Sequence, residues 1–156
     1  MDPSKYDAPI VVSRSNGKIR IGADYSTELN AMVKSNHYPL PTPGEILSEC
    51  NNCAFFSHLN LSDAYLQVEV DDDSKKLLTI NTHRGLSKFN RLTPGIKSAP
   101  GAFQSIMDQL RPTIEGTKVY IDNITLASNS IVEHKSNLNL LLQKIKDFGF
   151  RLKFEK

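Results

Sequence analysis

The stretch Tyr120-Ile121-Asp122-Asn123 decides the fold of this chain more than any other four residues. Apolar and β-branched residues stand on both sides of it, at 117–121 and 124–128. Two such runs around an Asp-Asn step predict a β-hairpin with those two residues as its turn. Because the turn presents a carboxylate, it is also a place where a hard divalent cation would bind.

The length and composition are those of one soluble globular domain, or of part of a larger one. The chain has 156 residues, is 39% hydrophobic and carries a formal net charge of +2, and a chain of this size buries roughly two thirds of its unfolded surface. It contains no run of 18 apolar residues and no apolar signal-peptide core, so we expect no membrane partner. Cys50 and Cys53 predict reduced thiols in an intracellular protein, cytoplasmic or nuclear, and not a disulfide framework or zinc site.

Local patterns predict both strands and helices along the chain. Strands are expected at 10–14, 18–23, 54–61, 66–70, 77–82, 87–91, 117–121, 124–128 and 150–154. Helices are expected from Thr42 to about Asn51, after Asp71, and at 99–110 and 130–147. This order predicts an α+β fold, with an antiparallel sheet and two long helices packed on one face.

A second segment, FFSHLNLSDAYLQV at 55–68, gives the hairpin its context. With the Tyr-Ile-Asp-Asn turn it resembles reverse transcriptases, which have Phe-Ser-x-x-Asp-Leu-x-x-x-Tyr-x-Gln and Tyr-x-Asp-Asp at these places. Further resembling blocks follow the same order: 9–25, Leu29-Asn30, Tyr38-Pro39-Leu40-Pro41, and 91–100 with Phe103-Gln104. The amino-acid sequences at 38–41 and 62–65 are most similar to those of gypsy-type LTR retrotransposons. Several ordered blocks are far more specific than one short match.

The resemblance implies the fingers and palm of a right-hand polymerase. Residues 1–156 are then a single domain fragment, to which the family adds a thumb, a connection segment and RNase H. The implied activity is RNA-directed DNA synthesis, with an RNA or DNA template-primer and a deoxynucleoside triphosphate as partners. The remaining Pol domains or a host protein are further implied partners.

The resemblance also implies a catalytic set at Asn60, Asp122 and Asn123, where the family has three aspartates. In the family, two Mg²⁺ ions about 3.5–4 Å apart clamp the attacking and leaving oxygens. The implied metal ligands are Asp122 and the backbone carbonyl of Leu61. Asparagine offers only a neutral oxygen, so we expect weak or absent Mg²⁺ binding and negligible polymerase activity. The sequence does not separate decay, domestication and engineering as sources of the two asparagines.

Six positions match nucleotide contacts of the family: Lys18, Arg20, Asp63, Ala64, Tyr65 and Gln104. The implied role of Arg20, with Lys18, is a planar bidentate contact to the triphosphate. Tyr65 matches the aromatic residue under the nucleotide sugar, and a core tyrosine is the alternative. Gln104 has a helix-surface amide as its alternative. Pro94 departs from the aromatic residue or glutamine that the family has before this glycine.

A second hypothesis comes from a different functional class. The chain would be a host-adopted module that binds nucleic acid or protein without catalysis. The sequence contains no stop or polar break in its apolar runs, as expected if a folded state has been kept. The reverse transcriptase and the binding module therefore remain as two hypotheses.

Overall fold

The computed structural model describes residues 8–15, 17–26, 29–33, 38–42, 44–46 and 52–154. The chain divides into two compact units, the first from 1–37 and 65–99 and the second from 38–64 and 100–156. No helix in the described ranges is both long enough and apolar enough to cross a membrane.

The described residues form strands, α-helices and two 3₁₀ helices. The strands are β1 (Ala8–Ser15), β2 (Lys18–Ala23), β3 (Phe55–Asn60), β4 (Thr79–Thr82), β5 (Gly85–Lys88), β6 (Thr117–Tyr120) and β7 (Asn123–Ser128). The α-helices are α1 (Leu29–Met32), α2 (Asp72–Leu77), α3 (Ala99–Met107) and α4 (Ile131–Asp147), and the 3₁₀ helices are Ala64–Gln67 and Asp108–Thr113.

The first unit contains a four-stranded sheet in the order β2-β1-β4-β5. β1 and β2 pair antiparallel from Ile10–Ala23 to Ser15–Lys18, as the Ser-Asn-Gly turn predicts. β1 and β4 pair in parallel, and β4 and β5 pair antiparallel across a turn at 83–84. Asp71 caps α2 because its side chain accepts hydrogen bonds from two backbone N–H groups of the first turn.

The second unit contains a three-stranded antiparallel sheet in the order β3-β7-β6. Helix α4 packs on β7 and β3, and it begins where the Ser130 hydroxyl accepts a hydrogen bond from the Glu133 N–H. His134 is buried and joins this helix to the sheet. Its ring nitrogens lie 2.8 Å from the Ser57 hydroxyl and 3.2 Å from the Ser128 hydroxyl.

Close packing of backbone fixes the base of the β6–β7 hairpin. Gly116 has φ +76°, and a Cβ placed there would overlap the carbonyl oxygen of Ala127. The same residues are joined by a hydrogen bond from the Ala127 N–H to the Gly116 carbonyl, at 3.0 Å. Glycine is needed because only it combines positive φ with this approach.

The α+β prediction is confirmed, with two sheets in place of one and one parallel strand pair. The predicted helix at 130–147 is confirmed as α4. The predicted helix at 99–110 is α-helical only to Met107 and continues as a 3₁₀ helix, a common way for the last turn to tighten.

Two strand predictions are wrong. The first is the strand predicted at 66–70. Residues 64–67 form a 3₁₀ helix, because Asp63 at φ 45° turns the chain away from the direction of β3. The predicted strand at 150–154 reduces to an isolated bridge between Leu152 and Leu61.

The start of the helix predicted from Thr42 is described, and its end is not. Thr42 and Glu45 exchange hydrogen bonds, from the Thr42 N–H to the Glu45 carboxylate and from the Glu45 N–H to the Thr42 hydroxyl. This reciprocal pair is a capping box, and residues 44–46 are helical. The remainder, 47–51, lies outside the described residues, as do Cys50 and the Asn16 position of the first turn.

Candidate functional site

The pairing of β3 with β7 brings the predicted catalytic positions together in the second unit. Asn60 ends β3 and lies directly opposite Asn123, the first residue of β7. The next residue, Leu61, donates its N–H to the carbonyl oxygen of Asp122 at 2.9 Å. Two segments more than 50 residues apart in sequence therefore meet at one end of the sheet.

The turn of the β6–β7 hairpin is shifted by one residue from the sequence prediction. Tyr120 pairs with Asn123, so the two turn residues are Ile121 and Asp122, and not Asp122 and Asn123. Ile121 has φ 51°, a conformation that β-branched residues rarely adopt. The prediction was wrong because it followed turn propensity, whereas the register follows pairing of β7 with strands on both sides.

The side chains at the site contain one carboxylate. Asp122, Asn60 and Asn123 are all half-buried. The Asn123 amide nitrogen donates a hydrogen bond to the Asp122 carboxylate at 3.2 Å. The group in contact with the Asp122 carboxylate is therefore a neutral amide. The amide oxygen of Asn60 is buried and has no hydrogen-bond partner among the described residues. A buried acceptor without a donor costs about 1–3 kcal/mol, and a cation or a donor at that point would remove this cost.

The last described segment of the chain lies along the end of β3. Lys153 donates its N–H to the Asn60 carbonyl at 2.8 Å, and Ser62 donates its N–H to the Arg151 carbonyl at 2.9 Å. The backbone of Asn60 is therefore held on one side by β7 and on the other by this segment. These backbone bonds on both sides fix the position of the Asn60 Cα, from which the side chain projects.

Gln104, predicted to contact nucleotide or to lie on the helix surface, is fully buried. Its amide oxygen accepts the Ile121 N–H at 2.7 Å, and its amide nitrogen donates to the Val119 carbonyl at 3.0 Å. The same nitrogen donates to Asp108 at 3.0 Å. The surface alternative is therefore wrong, since Gln104 stands on the apolar side of α3. Its nucleotide contact stays a prediction.

Three further predicted positions of the second unit follow Asn60 closely. Leu61 and Ala64 are buried and Asp63 is exposed at φ 45°. The carbonyl of Leu61 as metal ligand, and Asp63 and Ala64 as nucleotide contacts, stay predictions.

The other predicted nucleotide contacts belong to the first unit. Arg20 is exposed on β2, Lys18 begins the same strand, and Tyr65 is half-buried in the 3₁₀ helix. The side chain of Lys18 is outside the described part of the chain. The three assignments stay predictions.

Sequence reasoning missed the side chain that holds the loop after Pro94. Asn30 donates its amide nitrogen to the Gly95 carbonyl and accepts the Lys97 N–H, both at 2.8 Å. Gly95 has φ +97°, and a Cβ placed there would lie 3.3 Å from the carbonyl oxygen of Ala23. In the sequence Asn30 is part of a resembling block, and nothing in its sequence neighbourhood predicts a bond to a loop 65 residues away.

The described residues contain no cluster of three or more His, Cys, Asp or Glu side chains placed to hold a metal ion. At the β3–β7 end Asp122 offers an anionic oxygen ligand, and its neighbours Asn60 and Asn123 offer neutral amides. Mg²⁺ is a hard cation that is bound through carboxylate and other oxygen ligands, and two adjacent ions need carboxylates that bridge them. The residues present therefore do not fit a pair of Mg²⁺ ions.

Known proteins are similar to this chain in sequence and in fold. The profile of the family described as reverse transcriptase (RNA-dependent DNA polymerase) matches residues 11–156. An uncharacterized protein of Caenorhabditis elegans is 44% identical over 156 residues, covering 98% of this chain and 12% of that protein. The retrovirus-related Pol polyprotein from transposon 297 of Drosophila melanogaster is 32% identical, covering 99% of this chain and 14% of that protein.

A solved structure shares the fold at low sequence identity. The foamy viral protease-reverse transcriptase in complex with an RNA/DNA hybrid superposes with a TM-score of 0.85 at 20% identity. The match covers 94% of this chain and 20% of that one. Since the family profile covers nearly all of the sequence, the chain belongs to the reverse transcriptase family.

Proposed function

We propose that this chain is the fingers–palm part of the reverse transcriptase of a gypsy-type LTR retrotransposon, and that it is inactive in nucleotidyl transfer as written. The family activity is RNA-directed DNA synthesis, with a template-primer and a deoxynucleoside triphosphate as substrates. The chain spans 12% and 14% of the two curated relatives described above. The activity of the longer protein is part of the proposal.

The register at the end of β3 carries the proposal. Asn60 stands opposite Asn123, and the next residue, Leu61, bonds to the carbonyl of Asp122. The three positions that by resemblance match the carboxylates of the family therefore lie close together. Their formal charge is minus one where three aspartates would give minus three. In active members, two cations supply charge neutralisation worth several kcal/mol in the transition state.

The Asn60 amide oxygen supports the same interpretation. The described residues around it provide no donor, although neutral buried acceptors in native proteins are nearly always paired. A position that provides no donor suits an oxygen whose partner is a cation. We infer that Asn60 occupies a ligand position that was built around an aspartate and a metal ion.

The test restores both carboxylates and measures cation binding directly. By titration calorimetry with Mn²⁺ and Mg²⁺, the double variant Asn60→Asp, Asn123→Asp should bind, and the unaltered chain should give no resolvable heat at millimolar metal. The control is Asn139→Asp, which adds a carboxylate on the exposed side of α4 in the same unit and should behave like the unaltered chain.

A primer-extension assay completes the test. Extension by the unaltered chain with either cation would overturn the proposed inactivity. Failure of the double variant to bind metal would overturn the assignment of Asn60 and Asn123 as ligand positions, because calorimetry does not need the remaining polymerase domains.

The first hairpin supports an alternative, a host-adopted module that binds nucleic acid or protein without catalysis. Val12, Ile19 and Ile21 are 61%, 66% and 60% exposed on β1 and β2, and Arg14 and Arg20 are exposed beside them. Such a module should bind duplex or single-stranded nucleic acid in EDTA, most tightly at low salt. Binding only when metal is present would contradict it.

A further inference from the structure

The outer edge of the β6–β7 hairpin is completed by a side chain. β6 is the end strand of its sheet. Tyr120 pairs with Asn123, and the neighbouring Val119 carbonyl and Ile121 N–H face away from β7 in the alternation of an antiparallel pair. Both groups are bonded by Gln104 at 3.0 and 2.7 Å. One amide therefore takes the place of a further strand.

The orientation of the Gln104 amide is fixed by its partners. The Val119 carbonyl and the Asp108 carboxylate can only accept, so the amide nitrogen must face both of them. The amide oxygen is then left for the Ile121 N–H. Asp108 lies four residues after Gln104, and its second carboxylate oxygen accepts a hydrogen bond from the Tyr38 hydroxyl at 2.7 Å.

The tip that this amide holds is conformationally unfavourable. A two-residue hairpin turn in which only the first position has positive φ ordinarily has glycine there, and here that position is Ile121 at φ 51°. A β-branched residue keeps this conformation only where its surroundings enforce it. Ile121 directly precedes Asp122, so the backbone of Ile121 sets the direction in which the carboxylate projects.

We propose that Tyr38, Asp108 and Gln104 form a hydrogen-bonded relay that holds the turn and thereby aims Asp122. These three are positioning residues, since they act through the backbone of Val119 and Ile121 and not on substrate. The relay gives a role to Tyr38 and Asp108, which the sequence reasoning left without one. Its relevance to catalysis rests on the proposed function, and its geometry does not.

The test moves the negative charge from Asp108 to residue 104 and measures hydrogen exchange at the Ile121 N–H. In Gln104→Glu the side chain keeps an acceptor for the Ile121 N–H but has no donor for the Val119 carbonyl or the Asp108 carboxylate. Repulsion from these two acceptors should displace the new carboxylate and break its bond to the Ile121 N–H. Hydrogen exchange at the Ile121 N–H should rise at least about tenfold, the equivalent of one lost hydrogen bond. Adding Asp108→Asn restores a donor toward residue 104, so the double variant should recover most of the protection.

Two references separate the relay from a general loss of packing. The Ala127 N–H, bonded to Gly116 at the base of the same hairpin, should keep its exchange rate in every variant. The exposed neighbour variant Gln109→Glu should leave both rates unchanged. If exchange at Ile121 and Ala127 rises equally and Asp108→Asn reverses neither, Gln104 only fills the core and the relay is wrong.

A milder variant tests the outer link and keeps the fold. Tyr38→Phe removes one hydroxyl, and exchange at the Ile121 N–H should rise about threefold, since the lost bond is one step removed. An unchanged rate in Tyr38→Phe would remove Tyr38 from the relay. Because hydrogen exchange needs no metal or substrate, a failure here is distinct from a failure of the proposed function.

Discussion

Two amide side chains flank the β6–β7 hairpin in the second unit, and they differ in how well their surroundings fit them. Gln104, on the β6 side, is fully buried and makes three hydrogen bonds. Asn60, on the β7 side, has a buried oxygen for which the described part of the chain supplies no partner. An amide whose nitrogen and oxygen are both hydrogen-bonded stabilises the fold at that position. An amide with an unpaired oxygen indicates a position suited to another group.

Removing polarity from both amides should have the largest effect and should separate them sharply. Gln104→Met leaves the Val119 carbonyl, the Ile121 N–H and one Asp108 oxygen without their partner, at a cost of about 2–4 kcal/mol in the free energy of unfolding. Asn60→Leu removes an acceptor that has no donor among the described residues, so the free energy of unfolding should stay the same or rise by up to about 1–3 kcal/mol. Urea unfolding measures both.

The matched control for this pair is Gln109→Met, at an exposed position after the same helix, which should change stability by no more than about 0.5 kcal/mol. Equal losses in Gln104→Met and Asn60→Leu would break the comparison, because the Asn60 oxygen would then have a partner in solution.

The carboxylate at position 60 should depend on metal for its stability. In EDTA, Asn60→Asp buries a charged oxygen without a donor beside Asp122, and unfolding should become easier by about 1–3 kcal/mol. Mn²⁺ at 100 times its dissociation constant should return about 2.7 kcal/mol, since it binds the folded state. Thermal unfolding with and without Mn²⁺ measures this, and Asn139→Asp should show no such dependence. A metal-independent loss would contradict a ligand role for position 60.

The smallest expected effect on stability is that of Asp71 in the first unit. Its carboxylate accepts hydrogen bonds from several donors. The Ser74 N–H and then its hydroxyl hold the pKa of this carboxyl below its ordinary value of 3.8. Because the folded-state pKa is the lower one, the stabilisation is present above pH 3.8 and is lost as the pH falls through the folded-state value.

Asp71→Asn keeps a capping side chain and removes the charge, so acid should weaken the variant slightly less than the unaltered chain. Unfolding measured across the acid range checks this, with Glu115→Gln as the charge-matched control at an exposed position. Identical acid sensitivity in the unaltered chain and Asp71→Asn would show that the cap does not contribute.

Periodicity and turn chemistry predicted most of the elements of the fold. Helix α4, the β1–β2 hairpin and the two segments of the candidate site follow from local patterns, since each pattern repeats along a single element. The 3₁₀ helix at 64–67 and the bridge at Leu152 were missed. Their conformation depends on Asp63 turning the chain and on pairing with a strand end about 90 residues away.

The sequence by itself determined the family of this protein and the residue types at its candidate site, because ordered motifs and the identities of Asn60, Asp122 and Asn123 do not depend on coordinates. Only the tertiary structure decided that the turn is Ile121-Asp122 and that Gln104 holds it. Register and side-chain bonding are set by partners distant in sequence, and local propensity does not identify those partners.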